Sequence, residues 1–367
     1  MNKLIIFCLI IIFLFANGCS NENNDSQLNE VYDGLTLYAP KNGQNVYLIN
    51  NDKEIVHKWD VESNPFGKLL PDGTLLYISG AGASPAKLKN GTSTFGISAL
   101  IERSWDGDVI WKYENQNIHH DFSKLPNGNI LAIEWEKVSS ENKEKYFSTI
   151  PGDLWTDVII EIDYNTQEIV WEWHVQDEID LGKYSFDELE SHELTHTNAV
   201  EYLPNGNSFN GKESVMISFR QLNTILIIDK NTKNIEWEYG SGVLTKQHNP
   251  SLLDNGNILV FDNQYSKTSS RIVEIDPKID ALVWEYTAVG FYSDHISGAQ
   301  RLPNGNTLIC EGTGGRIFEV TSENKVVWDY SISTKPKSES IFRAYKYGKD
   351  DVAWPTEILD TEFNNDE

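Results

Sequence analysis

Four histidines stand at matching distances ahead of one recurring phrase. His120 precedes Leu125 by 5 residues and His248 precedes Leu253 by 5, while His196 precedes Leu203 by 7 and His295 precedes Leu302 by 7. All four offsets are odd, so in an extended chain of two-residue period the four rings point to one side; His119, at offset 6, points away. Half of the 8 histidines thus occupy one repeated position. A lone His is ordinarily a satisfied structural residue. Four at equivalent positions are a candidate centre for nucleophilic or acid–base chemistry, because imidazole titrates near neutrality. Asn198 follows His196 by two and shares its side, and Arg220 ends the run VMISFR in the same unit, either as an anion-binding group or as a surface ion pair. Gln247-His248 follows the flexible Gly240-Ser241-Gly242, and the next strand ends in Phe261-Asp262-Asn263.

The elements that must position these residues are repeats. The phrase returns five times, as LPDGTLL at Leu70, LPNGNIL at Leu125, LPNGNSF at Leu203, LDNGNIL at Leu253 and LPNGNTL at Leu302. A turn signal that runs into an alternating apolar segment predicts a tight turn followed by a β-strand. A second strand-like phrase recurs six times, from VYLIN at Val46 to RIFEVT at Arg316. A third closes each unit around a Trp, at Trp59, Trp111, Trp171, Trp237, Trp284 and Trp328. Their spacings of 52, 60, 66, 47 and 44 residues suit four short strands per unit and predict an all-β, six-bladed β-propeller. The chain begins with a half-unit and ends with an unpaired strand, IFRAYKY at Ile341 to Tyr347, so the closing blade is expected to be shared between the two termini. The inner strand of each blade then lines the channel, and the residues just before LPNGN crowd together at one end of it. SFDELESHEL, Ser185 to Leu194, reads as the one short helix.

With these features in place, the chain resembles the bacterial arylsulfotransferase family. HHDF…LPNGN, HTNAVEYLPNGN…SFR, QHNPSLLDNGNILVFDN and the terminal FRAYKY carry the resemblance, in order, over roughly Gly34 to Tyr347. It implies a six-bladed propeller that moves sulfuryl groups from an aryl sulfate donor to a phenolic acceptor with no nucleotide sulfate and no cofactor or metal. It implies that His248 is the nucleophile and becomes transiently sulfated. His120, His196 and Arg220 join it as catalytic groups, and Asn198, His295, His119 and Arg343 as substrate-binding ones; His120 is preferred to His119 as the second-blade claimant. The link between His196 and Arg220 carries an extra stretch, NSFNGKES. The chemistry also reads without the family: a neutral imidazole can attack the sulfur of an aryl sulfate monoanion and split one transfer into two easier steps. Phe291 and Tyr292 could stack on an aryl ring, but blade packing is the preferred reading. A His-bound metal in a hydrolase or lyase is a rival; so is a propeller lipoprotein that only binds a ligand or partner.

The N-terminus reads as an address. Lys3, an apolar run from Leu4 to Ala16 and then Asn17-Gly18-Cys19 predict a signal peptide over 1–18 with Cys19 lipidated; plain secretion with a chance Cys is the alternative. Residues 19–33 would be a polar tether, 34–354 the propeller and 355–367 an acidic tail, with the protein held to a membrane of the bacterial cell envelope. Of the 3 Cys, only Cys310 would remain free, so no internal disulfide is expected. The 55 Asp and Glu outnumber 30 Lys and Arg, giving a charge of −25 that excludes nucleic acid as a partner. The same charge is hostile to a sulfate ester. Carboxylates are therefore expected mostly on outer strands and loops, with His120, His196, Arg220, His248 and His295 making a positive focus at the channel.

Overall fold

Six four-stranded antiparallel sheets follow one another around a ring. The structure is a computed structural model that describes residues 31–62, 65–80, 98–184, 186, 192–264, 267–332 and 339–364. Blade 1 begins with the inner strand Phe66–Leu69, blade 2 with Ile118–Lys124, blade 3 with Thr197–Leu203, blade 4 with His248–Leu252 and blade 5 with Gly298–Arg301. Blade 6 closes the ring as the two half-units predict. Its inner strand is Ile341–Tyr347 and its outer three are Leu35–Pro40, Asn45–Ile49 and Ile55–Asp60. Leu35 pairs with Tyr347 and Pro40 with Ile341.

The repeated Gly makes the turns possible. Gly73, Gly128, Gly206, Gly256 and Gly305 all have φ between +80° and +91°, where a side chain would be strained. In blade 3 the phrase does not run straight into its strand: NSFNGKES bulges out first, and Leu203 pairs with Ser214. This excursion lies at the far end of the hairpin from Arg220, whose amide donates to the His196 carbonyl at 3.2 Å. The lengthened link therefore leaves the register at the His196 end intact.

Apolar residues form six buried clusters, one between each pair of neighbouring blades. The middle strands Ser214–Phe219 and Thr224–Asp229 are buried at every residue because they are covered on both faces. The six punctuating Trp sit on the outermost strands, and each indole N–H reaches the turn between the third and fourth strands of the next blade. Trp59 bonds Ser104 O, Trp111 bonds Tyr164 O, Trp171 bonds Lys230 O, Trp237 bonds Asp280 Oδ1, Trp284 bonds Ser322 O and Trp328 bonds Asn51 O. Cys310 is buried and free.

One expectation changes. The longest helix among the described residues is α1, Ser140–Phe147, capped by the Ser139 side chain; most of 185–194 lies outside the described residues, and Glu193 within it makes a bridge to Trp155. The start of the acidic tail packs on the ring. Trp354 and Ile358 are buried in the seam between blades 6 and 1, and Phe363 packs on Trp354 with ring centroids 5.7 Å apart. The signal segment and Cys19 lie outside the described residues.

Candidate active site

The inner strands do not start as regular extended chain. His120, His196, Asn249 and Ser297 have φ of 58°, 47°, 48° and 87°, and bulges interrupt pairing at His119/Phe122, Thr197/Ala199 and His248/Ser251. Strict alternation is lost there, and His196 and His295 precede their strands rather than belonging to them. The bulge sets His119 directly behind His120, with their Nδ1 atoms 2.7 Å apart.

Three rings then meet. His120 lies 4.7 Å from His196, centroid to centroid, at a steep angle. Trp135 stacks on His119 at 3.7 Å and flanks His196 at 6.1 Å, while Phe342 lies 6.1 Å from His120. His248 is close enough to be felt electrically by His120, and it feels Arg220, Arg343 and His196 in turn. Burial, helped by the neighbouring Arg220 and Arg343 charges, holds His248 well below the usual imidazole range. His120 is likewise pushed well down, by burial and then by the surrounding imidazoles and Arg343. Both rings are neutral at pH 7.

His120, His196 and His248 are each engaged through Nδ1. His248 Nδ1 stands 2.6 Å from Asn263 Oδ1 and 3.0 Å from Lys246 O. His196 Nδ1 is paired with Glu193 Oε2. His120 Nδ1 meets His119, whose Nε2 is 3.2 Å from Asp157 Oδ1, an ion-pair distance without hydrogen-bond alignment. Asp157 accepts from Thr195 Oγ1, Thr197 Oγ1 and the Thr197 amide, and stays below the usual carboxylate range although burial pushes it up. The start of the His248 strand is pinned from blade 3: Gln247 Nε2 is within 3.2 Å of Ser218 Oγ, Phe219 O and Thr224 O.

The other sequence-derived candidates take varied places. Asn198 is fully buried, and its amide nitrogen donates to Gln247 O at 2.7 Å, so it braces the start of the His248 strand. Arg343 is buried against Asp121 at 2.8 Å and the Asn198 carbonyl at 2.5 Å. Arg220 is 6% exposed. His295 stands at the rim, its side chain 43% exposed, held by Asp294 with Lys41 Nζ 3.5 Å away. Phe291 packs between blades 4 and 5. Sequence reasoning missed Trp135, Asp157, Glu193 and the pairing of Asp121. Only Glu193, three residues before His196, left a readable spacing.

The charge expectation holds in part. Glu114, Glu172, Glu285 and Asp329 lie on outermost strands, but Asp121, Asp157 and Glu193 are buried inside the site at 2%, 0% and 1% exposure. Asp121 is clamped between Arg343 and Lys68, and the other two stand behind imidazoles. Among the described residues no group of three or more His, Cys, Asp or Glu side chains is placed to hold a metal ion.

A family model described as Arylsulfotransferase (ASST) matches residues 86–333, well over half of the chain. The chain belongs to the arylsulfotransferase family. The match spans the strands that bring His119, His120, His196, Asn198, Arg220, His248 and His295 together. No curated protein matches the chain. Among solved structures, a protein of unknown function from Bacteroides caccae is similar at 15% identity and a TM-score of 0.54, covering 86% of this chain and 99% of that one, a likeness of fold. AztD from Citrobacter koseri is similar at 10% identity and a TM-score of 0.45, over 86% of this chain and 98% of its own.

Proposed function

We propose that this arylsulfotransferase-family chain moves a sulfuryl group from an aryl sulfate to a phenol, without a nucleotide, through a sulfated His248. The carrying observation is the setting of His248: neutral, held at Nδ1, with Nε2 bare beside the buried cation Arg220. In the first half-reaction the Nε2 lone pair attacks sulfur and the sulfur–aryloxide bond breaks. The departing phenolate takes a proton from an imidazolium, for which His196 is best placed because the Glu193 carboxylate stands behind its Nδ1. In the second half-reaction His196 removes the proton of the acceptor phenol, whose oxygen attacks sulfur while the N–S electron pair returns to Nε2. The proton taken in one half is the proton given in the other, so the cycle balances. Arg220 is the donor suited to the sulfuryl oxygens, where charge gathers. Asn198 and Arg343 serve by bracing the strands.

A nitrophenyl sulfate burst tests this directly. The wild type should release one equivalent of nitrophenol rapidly, retain labelled sulfuryl on His248 and discharge it on added phenol. Transfer that persists in His248→Ala overturns the nucleophile; no burst across a broad donor panel overturns the reaction.

We further propose attachment to the bacterial cell envelope through Cys19. Leu35 enters the ring beside Tyr347, at the end of the inner strand opposite Ile341, so a tether would leave the histidines facing away from the membrane. Fatty-acid labelling that survives Cys19→Ser would overturn it.

A further inference from the structure

Asn263 is buried completely and directly follows the second strand of blade 4, Ile258–Asp262. Both hydrogens of its amide nitrogen are spoken for, one by Ser293 O at 2.8 Å and one by Ile296 O at 3.1 Å. That fixes which way round the amide lies: Oδ1 faces His248 Nδ1 and can only accept. Lys246 O, the second neighbour of that nitrogen, is also an acceptor. Two acceptors on Nδ1 demand a proton there, so the lone pair is on Nε2.

We propose that Asn263 is the positioning residue that sets the tautomer of His248 and, being an uncharged acceptor, favours the imidazolium less than a carboxylate at that place would. This rests on the sulfotransfer reading above. The choice of an amide matters because every other ring nitrogen partner in the cluster leads to a carboxylate: Glu193 behind His196, Asp157 behind His119, Asp294 behind His295. A carboxylate at 263 would favour the imidazolium and remove the lone pair that attacks sulfur. Burial and the groups facing His248 from the neighbouring blades, Arg220, Arg343 and His196, act against protonation, His120 stands near as a further imidazole, and a full negative charge at Nδ1 would oppose them where an amide does so only weakly. The same amide ties the nucleophile to the connector that carries His295, whose folding over the rim is secured by Ser270 Oγ to Ser293 O at 3.2 Å and by Ser293 Oγ to His295 O at 2.7 Å.

Nitrogen-15 spectra of histidine-labelled wild type read this without any turnover. The His248 ring should show Nδ1 protonated and Nε2 bare throughout the neutral range; a proton on Nε2, or an imidazolium at neutral pH, overturns the proposal whatever the enzyme does with sulfate esters. In Asn263→Asp, the acid limb of the transfer profile should move up by at least about one pH unit, roughly tenfold in rate at a pH on that limb. An unmoved limb in a folded Asn263→Asp also overturns it. If the spectra agree and wild-type transfer is absent, the tautomer assignment stands and the sulfotransfer reading falls.

Discussion

His196 and His248 are the same side chain in one site, held by the same ring nitrogen, and they differ in what stands behind it. Behind His196 is the buried carboxylate of Glu193; behind His248 is the buried amide of Asn263. A carboxylate lowers the cost of the imidazolium and makes a ring that can take up and return a proton. An amide orients the ring equally well with a smaller reward for the charged form, and burial beside Arg220 outweighs it and removes that form from the neutral range. On the proposed reaction, the second neighbour rather than the histidine assigns the role, and two rings at equivalent places in the repeat divide into a proton carrier and a nucleophile.

The largest test of this difference is removal of the nucleophile. His248→Ala should lower transfer by at least about 10³-fold and abolish the labelled adduct, whereas His196→Ala should leave the adduct forming from donors with good leaving groups. Arg220→Met should cost on the order of 10²-fold in kcat with every donor, because the charge on sulfur's oxygens is common to all. Glu193→Gln should cost about tenfold, more as the leaving phenol becomes more basic, which plotting rate against phenol acidity would reveal. A dependence on phenol acidity that is the same in wild type and Glu193→Gln would break the comparison. The smallest effect is on stability. His119, His120 and His248 are all buried with depressed proton affinity, against an ordinary value of 6.5. As pH falls below about 6.5 the unfolded chain binds these protons first, so Tm should decline from there downward, and less steeply in His120→Gln.

The ring and its closure were legible because they repeat. Turn glycines and outer-strand Trp recur at a period, and complementary half-units at Val46 and Ile341 predict the shared blade. The gathering of His120, His196 and His248 followed from the same periodicity, although the reason given for it, alternation along an extended chain, fails at the bulges. Those left-handed residues carry no compositional sign, since His120 and His196 are not glycines. Asp157 and Trp135 lie inside strands whose pattern is already accounted for by packing, so their turn toward His119 is a tertiary fact. Asn198 and Arg343, read from the resemblance as ligands for substrate, also make bonds the sequence did not announce, to the backbone and to Asp121.

The indole bonds around the perimeter have a consequence for how this molecule can fail. Each outer strand is latched to the following blade, Trp328 included, so blade 5 is fastened to the N-terminal strands of blade 6. An array of stacked repeats can fray from either end, because its terminal units have one neighbour. Here every blade has two, and one lost latch, about 1 kcal/mol of net bonding, leaves five others resisting the same opening. Losing Ile341–Tyr347 is another matter: it turns a hoop into an open fan with two raw edges, and the histidines that face each other across the centre would no longer share one.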